Sequence, residues 1–226
     1  MKYNKGEKLI NDLFLNPLLF EKLGKGYRLL QEFFKGMPVE ALIPLLKSDD
    51  KNIQNTGMAI VSELGDKVCS LMPYVVPFIN SDVPFAKYCA LECILLCATG
   101  EYNKEIIHLI DSINIKDGID HSLKMFLLSN AEQVQLKEGF KVVAENKIND
   151  YKLHQEGLIK LINGNNSKKD VLEMLDSDEP LIQRYGAIIS KKMYRESPEL
   201  INHALLSANP DLKAYAEFII DLFNDD

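Results

Sequence analysis

Apolar residues recur along this chain at intervals of three and four, the period of a helix that buries one face. The interval is clearest when four stretches are aligned on Ser48, Ser81, Ser177 and Ser207. Five positions on stand Ile53, Ala86, Ile182 and Leu212, and nine on stand Gly57, Ala90, Gly186 and Ala216. Twelve on come Ile60, Cys93, Ile189 and Ile219, then sixteen on Leu64, Cys97, Met193 and Phe223. Steps of four, three and four keep these residues on one stripe, and the small residue in the middle of it admits a neighbouring helix. Pro84, Pro180 and Pro210 each lie three residues after their serine, at the favoured first position of a helix. Asp82, Asp178 and Asn209 fall just before, where capping and the helix dipole favour them.

Two weaker units lie between, around "IKDGIDHSLKMFLL" and "INDYKLHQEGLIKLI", with Leu123 and Gly157 at the small-residue position and Lys160 falling on the stripe. Before each of the six helices runs another apolar segment: "PVEALIPLLK", "PYVVPFIN", "KEIIHLIDSI", "KEGFKVVAE", "KKDVLEML" and "PELINHALL". The unit is therefore a pair of antiparallel helices, and neither can bury its apolar face alone, so neighbours must stack. Pro44 and Pro77 fall inside first helices and should bend them. Residues 7 to 36 carry Leu13, Phe14, Leu18, Leu19, Phe33 and Phe34 and break at "GKG", as helices covering the open end of a stack would.

On these features the chain from residue 37 to 226 resembles the HEAT-repeat proteins, whose first helices are often bent and whose second helices often open with an acidic turn and proline. The resemblance implies an all-α fold, an α-solenoid of about six antiparallel helix pairs in a single domain, 1–226. Residues 1–36 would form its N-terminal helical cap and 37–226 the repeats. In such solenoids the side of the second helix opposite the stripe lines the concave surface. Position seven and its flanks read Tyr88, Glu92, His121, Lys124, Gln155, Arg184 and Lys191, with Asn55 in the first unit. One aromatic, an arginine, amides and both signs of charge are the mixture of a protein-binding surface.

Charge narrows the class of partner. The 33 acidic residues exceed the 26 basic ones, for a net charge of −7, and only Arg28, Arg184 and Arg195 are arginines. That balance disfavours nucleic acid and suits a protein with a basic surface. The N-terminal stretch scatters charged residues among its apolar ones, so neither a signal peptide nor a membrane span is expected, and the expected location is cytoplasmic.

Catalytic chemistry finds little purchase. Cys89, Cys93 and Cys97 lie on one helical stride. Cys93 and Cys97 are equivalent to aliphatic positions of other units, so they are expected to pack as small hydrophobes rather than hold metal. The four cysteines do not resemble a secreted disulfide framework. His108, His121, His154 and His203 form no pair at ligand spacing, and no phosphate-cradling or nucleophile-elbow motif occurs. No cofactor and no metal are expected, and the chain reads as a non-catalytic binding module rather than an enzyme. A short acidic chain of this kind resembles the HEAT-repeat immunity proteins of bacterial polymorphic or contact-dependent toxin systems, which implies a basic toxin domain as partner. The alternatives are a nucleic-acid-acting enzyme of the alkylpurine DNA glycosylase type, and a scaffold or adaptor in a larger complex. The glycosylases use tryptophans and a basic groove, and this chain has no tryptophan.

Overall fold

The computed structural model describes residues 4–97 and 100–224, and among them every regular element is helical. The chain divides into two compact units, Met1–Ala98 and Thr99–Asp226, where the sequence predicts one continuous array.

The first unit opens with α1 (Asn4–Leu15), α2 (Pro17–Lys22) and α3 (Lys25–Phe34). Asn16 caps α2 by accepting from the Leu19 N–H, and Gly24, at φ +61, makes the left-handed turn into α3. Leu13, Phe20, Leu29 and Phe33 are buried, whereas Phe14, Leu18, Leu19 and Phe34 are exposed. Then follow α4 (Ile43–Leu46), α5 (Lys51–Leu64), α6 (Met72–Val75) and α7 (Pro84–Cys97). The segments before α5 and α7 are broken as their prolines predict: Val39–Leu42 is a 3-10 turn leading into α4, and 3-10 turns at Gly65–Leu71 and Val76–Asn80 flank α6.

In the second unit a 3-10 turn at Gly100–Glu105 leads into α8 (Ile106–Ser112). After it come α9 (His121–Asn130), α10 (Gln133–Asn146), α11 (Tyr151–Asn163), α12 (Lys168–Leu175), α13 (Pro180–Lys192), α14 (Glu199–Leu205) and α15 (Pro210–Asn224). Helix α13 is central and packs against α9, α11, α12, α14 and α15. It is buried almost all round, from Leu181 to Ser190, with only Gln183 partly exposed.

The predicted stripe is the core. All four residues are buried at the fifth, ninth and twelfth positions, as are Leu64 and Cys97 at the sixteenth, while Met193 and Phe223 are half-buried. At Gly57 an added Cβ would lie 3.0 Å from Leu45 Cβ, and at Gly186 the same distance from Met174 Cβ. Each small residue thus lets the first helix of its own pair, α4 or α12, come close. Gly157 serves a different neighbour, because a Cβ there would overlap the Tyr185 ring on α13.

The four aligned serines form turns just ahead of the helices, beside the capping that the sequence assigns to the residues after them. Ser48, Ser81, Ser177 and Ser207 each accept, through Oγ, the backbone N–H two residues on. Asp50 and Asn209 add side-chain caps of their own, Asp50 to the Asn52 and Ile53 amides and Asn209 to the Asp211 amide.

Candidate functional site

The residues expected on a concave surface fall into two groups, one in each unit. In the second unit they converge inside the structure. Lys124 of α9 is fully buried, and its ammonium reaches Asp117 Oδ1 at 2.5 Å and donates to the Ile115 carbonyl at 2.7 Å and the Ser112 carbonyl at 3.1 Å. Arg184 of α13 is 7% exposed and donates from Nη2 to Asp211 Oδ2 at 2.8 Å and from Nη1 to Asn114 Oδ1 at 3.0 Å. His121, at the start of α9, lies 3.1 Å from the same Asp211 oxygen through Nδ1 and 3.2 Å from the Ile115 carbonyl through Nε2. Asn114 in turn donates to Asp150 at 2.8 Å. Burial works to raise the Asp211 carboxyl, and the hydrogen bonds from Arg184 and His121 outweigh it, holding that group below the usual carboxylate range.

This network ties the 113–120 connection to α9, α13 and α15. The expectation that Lys124 and Arg184 face an open groove is therefore corrected: both are buried. The physical reason is the path of α9. In an open solenoid a unit touches only its neighbours, but α9, of the third pair, packs against α13 and α15 of the fifth and sixth. Phe126 of α9 meets Phe218 of α15 edge to face at 5.5 Å, and the Lys191 ammonium lies 5.1 Å above the Phe126 ring while donating to Asn130. Gln155 is half-buried on α11.

In the first unit Asn55, Tyr88 and Glu92 are half-buried on α5 and α7. The Glu92 carboxylate accepts from Ser62 Oγ, and burial, then the nearby Glu92 charge, push the Tyr88 hydroxyl up from its ordinary value. Asn55 opens onto a groove of about 740 Å³ between α2–α3 and α5. Asn52, Asn55, Thr56, Ala59 and Glu63 supply one face of α5 at helical spacing, Phe20 and Leu30 an opposite wall, and Tyr27 and Phe85 an aromatic rim. The sequence reading marked Asn55 but missed this groove, because its far wall comes from helices taken only as a cap.

The cysteines need a correction. Cys97 is buried on the stripe as expected, yet it is joined by a disulfide to Cys69 of the Gly65–Leu71 turn, across a Cα separation of 5.0 Å. The turn carries Cys69 back beside the end of α7, a pairing that the spacing within α7 cannot reveal. Cys89 and Cys93 are buried free thiols, and burial pushes both up to about 12. Among the described residues no three His, Cys, Asp or Glu side chains gather as metal ligands, and no helix is long and apolar enough to cross a membrane.

No protein-family model, curated protein or solved structure matches this chain.

Proposed function

We propose that the chain is a non-catalytic protein-binding module of the HEAT-solenoid type that neutralises or regulates a partner with a basic surface, as an immunity protein does for a bacterial toxin. The observation that carries the reading is the set of large apolar side chains held out to solvent along 15–27 of the first unit. Leu15 is 84% exposed, Leu18 65%, Leu23 51% and Tyr27 69%. Exposed leucines clustered on successive short helices cost solubility and mark a contact surface. The net charge of −7 favours a basic partner. The succession of paired helices, with serine turns and prolines at matching places, supports the repeat reading.

The test is coexpression with the product of the gene directly upstream. A toxin domain whose growth arrest is relieved by this chain, and which forms a 1:1 complex with it by calorimetry, is the expected result. Absence of any complex, or release of bases from alkylated DNA by the purified chain, would set the reading aside.

A further inference from the structure

We propose that the groove between α2–α3 and α5 takes one helical segment of the partner, apolar on one face and carrying lysine or arginine beside that face. The inference rests on the protein-binding reading and names the chemistry of what is bound.

The groove exists because of small residues. Gly24 and Gly26 leave its wall without side chains, and Ala59 keeps its floor low. At about 740 Å³ it lies within the range of specific binding pockets, ~300–1,000 Å³, with room for several aliphatic side chains. Its walls are helix faces whose backbone groups are already paired along their helices. An extended peptide laid there would leave its own N–H and C=O groups unpaired against apolar side chains, whereas a helix satisfies them internally.

Charge selects among occupants. Glu21 and Glu63, both exposed, line the groove, and no lysine, arginine or histidine does. Two carboxylates at an apolar trough favour cations beside the apolar face that enters it. They repel the anionic headgroups of a bacterial membrane, and a second copy of this chain would bring its own net charge of −7 against them.

The experiment uses the intact chain and a fluorescein-labelled helical peptide of ~15 residues with leucines on one face and lysines on the other, read by anisotropy at about 0.15 M salt. A control peptide carries glutamates in place of the lysines. Gly26→Phe places a ring in the groove without strain, since a Cβ at that position has nothing within 4 Å. The expected result is saturable 1:1 binding of the lysine peptide, about tenfold or more tighter than the control, and weakened about tenfold or more by Gly26→Phe. The double variant Glu21→Lys, Glu63→Lys should reverse the preference between the two peptides while thermal unfolding stays as in the parent.

Several results would overturn the proposal: no saturable binding, equal binding of both peptides, or binding indifferent to Gly26→Phe. Dimerisation that Gly26→Phe abolishes, or groove-dependent adsorption to phosphatidylglycerol vesicles, would give the groove to another occupant and overturn it likewise. A toxin complex that forms with full affinity in the Gly26→Phe variant removes the groove from the interface and leaves the protein-binding reading standing. Failure of the parent chain to bind any toxin strikes that reading, while the peptide titration still decides the groove.

Discussion

Lys124 and Arg184 show how far a residue's place on a helix falls short of its environment. Each lies away from the buried stripe, as the register predicts, and each is nevertheless buried because another helix covers that side. Lys124→Ala would leave Asp117 and two carbonyls short of their cation, at a cost of about 3 kcal/mol. Arg184→Ala should cost less, about 2 kcal/mol, because Asp211 keeps 30% of its side chain in solvent. Urea unfolding of both variants checks this, and values near zero would mean that the network is not coupled to folding. His154 is a third buried base. Its Nδ1 lies 3.0 Å from the Tyr185 hydroxyl, it is wholly buried, and burial pulls it down to about 4 despite the opposing Asp150 charge. An unfolded histidine, at about 6.5, takes up its proton first. This group's contribution is therefore present above pH 6.5 and lost as pH falls toward 4, up to about 3 kcal/mol. His154→Gln should flatten that part of the stability profile, measured between pH 7 and pH 4.5.

At the scale of the element, what was legible is what local periodicity controls. Pro84, Pro180 and Pro210 open α7, α13 and α15 because the ring suits the first helical position. The small stripe residues sit where helices touch, and Gly157 is the severest case: Gly157→Ala would drive a methyl into the Tyr185 ring and should cost about 2 to 3 kcal/mol by overpacking. Its thermal shift should exceed that of alanine at Gly26, where the Cβ position is open. The disulfide was not legible, since two cysteines 28 residues apart become neighbours only once the 3-10 turn and α7 have packed. Reducing it should cost about 3 to 4 kcal/mol through the freed loop, seen as a lower midpoint with dithiothreitol. Cys93→Ala should cost about 1 to 2 kcal/mol by lost packing, with or without chelator. Both free thiols, raised to about 12, should resist iodoacetamide until the protein unfolds.

Across the whole molecule, charge is the property that sequence states outright. With a net charge of −7 and three arginines, no duplex DNA binding is expected at physiological salt. A salt-sensitive complex of about micromolar affinity or tighter would return the glycosylase alternative.

The sequence by itself determined that the described chain is helical, where prolines open its helices and which stripe is buried, because each depends on residues within a turn or two of one another. Tertiary structure decided which of the remaining faces stay open. Asp211 reaches His121 across 90 residues, and Arg184 reaches Asn114 across 70, because α9 lies against α13 and α15. In the first unit α2 and α3 leave a groove against α5, onto which Asn55 opens. Nothing in a helix's own period says whether another helix will arrive on its second face, since that is set by the packing of distant segments competing for the same apolar surface.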